Sequence, residues 1–189
     1  MVEKVTAAMK KKRKRWIEII GPIDVNKAEI GHSYCDDPQL LMGRKVAVNM
    51  MHLTKDPKKQ HIKLTFTIDE IKEGKAYTKF SGYEVLPSYV KRAVRRNKSK
   101  IDDSFVVETK DNLKVRIKHF TTTSEKASAP KRTQLRKAIR DYLSENVKKA
   151  TYSENIKSVL NNFLQKGIKD AVKKVVPCNS MIRVFQLEK

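Results

Sequence analysis

Glycine is scarce in this sequence, six residues in 189, which leaves little room for the backbone-lined loops that cradle phosphate. Neither G-x-x-x-x-G-K-[ST] nor G-x-G-x-x-G occurs, and H-E-x-x-H and G-x-S-x-G are missing as well. The common nucleotide, zinc-protease and hydrolase signatures are thereby excluded. Cysteine is limited to Cys35 and Cys178. Two thiols so far apart suggest neither a disulfide framework nor a four-cysteine zinc site, and they suit a reducing compartment. No stretch approaches the ~18 consecutive apolar residues of a membrane span. The N-terminus, MVEKVTAAMKKKRKRW, holds no apolar run of signal-peptide length. The expectation is a soluble cytoplasmic protein, not exported and not an enzyme, with no cofactor, metal, membrane or small-molecule substrate.

Acid is what the basic segments lack. The chain carries 42 Lys and Arg against 21 Asp and Glu, a formal net charge of +21, and the excess is concentrated. Residues 1–16, 86–100 and 126–140 together hold 19 basic residues and 1 acidic one, while the remaining 143 residues hold 23 and 20. A solvated face normally mixes signs; these three do not. Nucleic acid offers closely spaced phosphates, and each Lys or Arg contact releases condensed counterions. The candidate contacts are Lys10, Lys11, Lys12, Arg13, Lys14 and Arg15 with the adjoining Trp16; Lys91, Arg92, Arg95, Arg96, Lys98 and Lys100; and Lys126, Lys131, Arg132, Arg136 and Arg140. Arginine forks bind phosphate bidentately and stack on bases. No zinc finger, helix-turn-helix or basic zipper is present, nor the aromatic signature of the four-stranded RNA-binding sheet. Structured RNA, read by shape and backbone, suits scattered clusters better than a regular DNA groove. An anionic lipid surface competes only for the tail, which has no lipid-anchor signal.

Residues 1–15 read as a disordered basic tail, since KKKRKR cannot pack against itself. RWIEIIG is a first short strand, and Lys45 to Thr54, KVAVNMMHLT, a second. HIKLTFTIDEI alternates cleanly and pairs with AYTKFSGYEV through Glu73-Gly74. DSFVVETK pairs with LKVRIKHFT through Asp111-Asn112. Some seven strands at this spacing predict a closed or nearly closed barrel or sandwich. LPSYVKRAVRRNKSK supplies an inserted amphipathic helix near 87–97 with a cationic outside. The body, 16–122, is followed over 123–189 by a hydroxyl-rich linker from TTTSEKASAPK, two helices (131–149, and from Ser153 to Val175) and a terminal strand, SMIRVFQL. The fold class is α+β: a β-barrel-like body of short, mainly antiparallel strands with C-terminal helices and a closing strand.

His32, His52, His61 and His119 read as ordinary core or surface imidazoles. His32 with Cys35 makes an H-x-x-C pair that could be half a zinc site, joined only by Cys178, and on it rests the one enzyme alternative, a small metal-dependent enzyme. Asp36-Asp37 and Asp102-Asp103 read as aspartates of turns or helix ends.

Three segments then carry a resemblance: GRKVAVNMMHL, AYTKFSGYEVLPSYVKRAVRRNKSKIDDSFVVETKDNLKVRI and QLRKAIRDYL, with VVPCNSMIRVFQLEK as a weaker closing match. In order and spacing the chain from about Trp16 onward resembles the small-subunit ribosomal protein family S-three-A-e, also called e-S-one. The resemblance implies a non-catalytic protein docked on small-subunit ribosomal RNA at the platform, near the messenger exit. It further implies neighbouring small-subunit proteins as partners and messenger RNA at the exit as a candidate one. It makes Arg92, Arg95 and Arg96, the TTTSEK segment with Thr122 and Thr123, and Arg132 and Arg136 the expected RNA contacts. The ending FQLEK departs from the family's lysine-rich finish, and the short, tail-less form looks archaeal. A free-standing RNA chaperone using the same charge is the alternative.

Overall fold

The computed structural model describes residues 14–22, 28–173 and 175–188; Lys10–Arg13 of the expected RNA contacts lie outside them. The chain divides into two compact units, residues 1–46 with 67–79, and residues 47–66 with 80–189.

In the first unit the alternation of RWIEII forms β1 (Arg15–Ile20), with Ile17 and Ile19 buried and Trp16 and Glu18 exposed. It pairs antiparallel with β2 (Glu29–Cys35) and parallel, at Glu18 to Ile20, with the first residues of a later strand. The core of this unit is Ile17, Ile19, Cys35, Leu41, Ile68 and Ala76. On its surface Lys75 pairs with Glu18 at 3.2 Å and Lys79 with Asp69 at 2.6 Å.

The strands β3 (Lys45–Asn49), β4 (Ile62–Lys72) and β5 (Lys75–Val85) have residues in both units. The β4–β5 turn is Glu73-Gly74, both at positive φ (52° and 75°), a geometry matched to the twist of the hairpin. KVAVNMMHLT is not one strand. Asn49 ends β3 by accepting a hydrogen bond from Met51 N at 3.0 Å, and Met50–Thr54 becomes a short helix, α1. The reason is local: Asn caps a helix start well and continues a strand poorly.

The second unit contains α2 (Pro87–Ala93), β6 (Lys100–Glu108), β7 (Lys114–Thr123), α3 (Ala129–Lys149), α4 (Tyr152–Leu160), α5 (Phe163–Val172) and β8 (Cys178–Leu187). β7 pairs with β6 on one side and β8 on the other, both antiparallel, and β8 pairs with the end of β5. Overall the fold is α+β, a mixed, mostly antiparallel eight-stranded sheet ordered β2-β1-β5-β8-β7-β6, with β3 and β4 off this path. The sheet is not closed, which leaves the fully closed form of the expected barrel or sandwich aside. Asp102 and Asp103 lie within β6 rather than at a turn.

Leu135, Ile139, Leu143 and Val147, spaced by four, bury one stripe of α3. The single helix expected from Ser153 to Val175 is two. Thr151, not Ser153, caps α4 in a reciprocal box with Glu154, and Asn162 at φ 60° breaks the chain before α5. Buried Asn155 donates to Val147 O and Ala150 O at 3.1 and 3.2 Å, satisfying carbonyls at the end of α3. Gly167 on α5 lies against Tyr142 of α3: a Cβ there would fall 1.8 Å from Oη and 2.8 Å from Cζ. Gly167→Ala is therefore expected to destabilise by about 1–3 kcal/mol through overpacking. In a Tyr142→Ala background the same change should instead stabilise by up to about 1 kcal/mol, the ordinary gain of Ala over Gly in a helix. A double-mutant cycle by urea unfolding reads the change of sign.

Candidate nucleic-acid interface

Pro87 at the first turn starts α2, and the helix ends at Ala93, shorter than the expected 87–97. Lys91 with Arg95 and Arg92 with Arg96 would be like-charge i,i+4 neighbours on a continued helix, which seven residues cannot offset. Val94 is extended instead and Asn97 turns at φ 64°. Arg95, Arg96 and Lys98 thus stand on the segment after α2, all exposed.

That segment is tied to the end of β7. Ser99 N donates to Thr123 Oγ1 at 2.9 Å, Thr123 N donates to Ser99 O at 3.0 Å, and Ala127 N donates to Ser99 Oγ at 2.9 Å. Ser124 N donates to Pro177 O at 3.0 Å. These bonds frame an open cavity of about 550 Å³ lined by Tyr89, Arg92, Arg95, Lys98, Thr122, Thr123, Ser124, Lys169, Cys178 and Asn179, among others. Four cations and no acid line it among the described residues. The fold brings together Arg92, Arg95, Lys98, Thr122 and Thr123, all expected contacts, and adds Lys169 from α5, about seventy residues further along the chain.

Aromatic rings back the cations. His61 stacks on Tyr89 at 4.0 Å between centroids, and the Arg92 guanidinium lies over the same ring, 5.8 Å from its centroid. Burial lowers the His61 pKa from its ordinary value, against a hydrogen bond donated to the Lys58 backbone carbonyl that raises it, and the nearby Arg92 charge lowers it further. His61 also lines a second cavity, of about 450 Å³, with Lys58, Lys59, Lys166 and Lys169.

The hydroxyls behave differently from expectation. TTT is the end of β7, not a linker, and Thr121, Thr122 and Thr123 are buried. Thr121 Oγ1 bonds Ser180 Oγ at 2.9 Å, and Thr123 Oγ1 bonds Glu125 O at 2.5 Å. They hold the cavity wall; the exposed hydroxyl at its rim is Ser124.

The remaining candidates are exposed but do not line this cavity. Lys14, Arg15, Trp16, Lys91, Arg96, Lys126 and Lys131 are all exposed. Arg132 and Arg136 are exposed on α3, three residues ahead of Leu135 and Ile139 and so beside its buried stripe. Arg140 lies 5.4 Å from the Phe105 centroid and lines a separate cavity of mixed charge with Glu108, Lys114, Lys148 and Glu188. Lys100 pairs with Asp102 at 3.4 Å. Arg116 pairs with Glu188 and Arg183 with Asp102, whereas Arg92, Arg95, Arg96, Arg132 and Arg136 have no acid partner among the described residues.

The zinc alternative gains nothing from the geometry. His32 Nε2 lies 2.9 Å from Glu29 Oε1 on the same strand, and Cys35 is packed in the core. Burial raises the Cys178 pKa, against Lys169, which keeps it a thiol. Among the described residues no three His, Cys, Asp or Glu side chains group to hold a metal.

A sequence profile described as the ribosomal S3Ae family matches residues 3–189. The chain belongs to the ribosomal S3Ae family. It is similar to the small ribosomal subunit protein eS1 of Methanobrevibacter smithii, 37% identical over 166 residues that cover 88% of this chain and 86% of the relative. The protein of the same name from Methanothermobacter thermautotrophicus is 32% identical over 88% of this chain and 85% of its own. That from Nanoarchaeum equitans is 32% identical over 94% and 90%. The S3Ae family is one of ribosomal proteins, not of enzymes.

In this S3Ae protein β6 and β7 also carry a pH liability. His119 on β7 is fully buried, with neither ring nitrogen hydrogen bonded, opposite Asp103 of β6 and edge-on to Phe105 at 6.2 Å. Burial lowers its pKa from the ordinary 6.5; Asp103 and Asp102 oppose this and Arg136 adds to it. The folded state therefore binds its proton later than the unfolded chain on acidification. Stability from this site is complete above the unfolded value and lost as pH falls towards the folded one. His61 acts in the same direction. Thermal unfolding midpoints are expected to drop between about pH 7 and pH 5, and His119→Leu to flatten that dependence; an unchanged slope would assign it to other groups.

Proposed function

We propose that the protein is a structural component of the small ribosomal subunit in the cytoplasm. In this reading it binds ribosomal RNA at the platform near the messenger exit, beside neighbouring small-subunit proteins and messenger RNA leaving the subunit. One observation carries the RNA-binding part: arginines without acid partners, Arg92 and Arg95, converge with Lys98 and Lys169 on one cavity. A formal charge of +21 repels itself unless an anionic partner neutralises it, and backbone phosphates enter such a cavity while unpaired bases stack on its aromatic wall. Lys10–Arg15 and the α3 stripe of Arg132 and Arg136 extend the contact. The names of the relatives supply the ribosomal setting.

Sucrose-gradient sedimentation of the native protein from lysate, with and without ribonuclease and at rising salt, tests this reading. Migration with the small subunit, resistant to moderate salt and released when RNA is digested, is the expected result. A spread through light fractions that is lost at moderate salt would favour a free-standing RNA chaperone instead.

A further inference from the structure

The first unit carries a surface that the basic cavity does not explain. Ile17 and Ile19 point into the core, so β1 turns Trp16 outward, where it is 70% exposed. Its register partner on β2 is Tyr34, 53% exposed, with ring centroids 5.0 Å apart, and His32 lies edge-on to Trp16 at 6.5 Å. Single exposed aromatics are ordinary; a tryptophan with two further rings against it on one strand pair is not. The acids beside them are already occupied, Glu18 by Lys75 and Glu29 by His32. The exposed cations Lys14 and Arg15 precede Trp16 directly, at the end of the KKKRKR run.

From this juxtaposition we infer that Trp16, Tyr34 and His32 form a stacking platform for unpaired bases of single-stranded RNA, with Lys14 and Arg15 on the adjoining phosphates. The inference rests on the reading of the protein as an RNA binder and adds a second, single-strand subsite to it. A partner with flat apolar faces and regularly spaced negative charge satisfies both the rings and the cations; every base has a face to stack, so the platform tolerates sequence. A duplex keeps its bases stacked on one another and offers only its phosphates. A protein partner would need to cover the rings and neutralise the cations with separate groups.

Trp16 is the one tryptophan of the chain, so its fluorescence reports this surface alone. Single-stranded oligouridine and oligoadenosine of about eight nucleotides are titrated into the full-length protein, with a duplex of equal phosphate content as the comparison. Saturable quenching by the single strands, much weaker with duplex, and a loss of about tenfold in the affinity read by quenching for Tyr34→Ala, are the expected results. The Arg92, Arg95, Arg96 triple alanine variant should retain the quenching. Oligonucleotide binding seen by anisotropy without any change in Trp16 fluorescence would overturn the platform, as would quenching unaffected by Tyr34→Ala. Quenching by RNA-free small-subunit proteins but not by RNA would assign the surface to a protein partner and overturn it equally. Binding of structured small-subunit RNA, measured in parallel by filter retention, separates the outcomes: its presence without quenching removes only the platform, and its absence removes the RNA-binding reading itself.

Discussion

Replacing Arg92, Arg95 and Arg96 together by alanine is expected to weaken binding to small-subunit ribosomal RNA by about a hundredfold at moderate salt. Each exposed guanidinium facing a phosphate contributes on the order of 1 kcal/mol through a charge-assisted hydrogen bond, and about 3 kcal/mol is two orders of magnitude in affinity. The same variant should reduce the slope of log K against log salt by about three, one per phosphate no longer neutralised. All three side chains are exposed and without acid partners, so removing them relieves mutual repulsion and leaves the fold intact. Filter binding across a salt series reads both quantities. Replacing Lys72 and Lys79, which are paired with Glu70 and Asp69 at 2.5 and 2.6 Å, should change neither by more than a small fraction. If the arginine variant kept the slope and the affinity, the segment around α2 would not be an RNA contact.

Phe120→Ala is expected to destabilise the second unit by about 3–5 kcal/mol, a large share of the 5–15 kcal/mol typical of a domain. Phe120 is fully buried on β7, opposite Asp102 of β6 and Met181 of β8, with the Lys100 ammonium 5.9 Å from its ring centroid. The three residues that follow it, Thr121 to Thr123, fix the cavity wall. RNA binding should therefore fall with stability rather than separately from it. Urea unfolding should show a lower midpoint, while Leu113→Ala, at an exposed position, should stay within about 0.5 kcal/mol of the parent. A cost below about 1 kcal/mol at Phe120 would mean that β7 is not packed as described.

The elements legible in the sequence were those whose side chains obey one period from end to end. Ile62, Leu64, Phe66 and Ile68 alternate along β4 and are all buried, and Glu73-Gly74 announces the turn that follows. β2 was not legible: EIGHSYC buries only Cys35, so no alternation marks it, and Gly31 and Ser33 have little strand preference. VNMMHL is apolar without period, and only the Asn49 cap decides that it becomes a helix. The break at Asn161-Asn162 left no trace in the apolar stripe, because Ile156, Val159, Leu164 and Ile168 stay buried on both sides of it. Strand count and spacing leave open whether a barrel or sandwich is closed or only nearly so, because they do not determine whether edge strands meet; here the sheet is not closed.

The candidate site was legible to the extent that charge is a composition property. The cluster in LPSYVKRAVRRNKSK is visible in one line of sequence, and the structure places Arg92, Arg95 and Lys98 on the same cavity. Lys169 was invisible because it belongs to a helix of mixed charge, with Asp170 beside it, and joins the others only through the packing of α5. A hydroxyl-rich run reads as a loop, whereas here β7 continues through it and turns the Thr121 hydroxyl towards Ser180 and the Thr123 hydroxyl towards Ser99 and Glu125.

The most direct test of the central claim is lysine acetylation followed by peptide mass analysis, comparing the free protein with assembled small subunits before and after ribonuclease digestion. Lys98 and Lys169, which line the cavity, are expected to react in the free protein, to be protected in the subunit, and to become reactive again once the RNA is digested. Unchanged reactivity of both on assembly, or protection that survives complete removal of the RNA, would contradict the assignment of this cavity to ribosomal RNA.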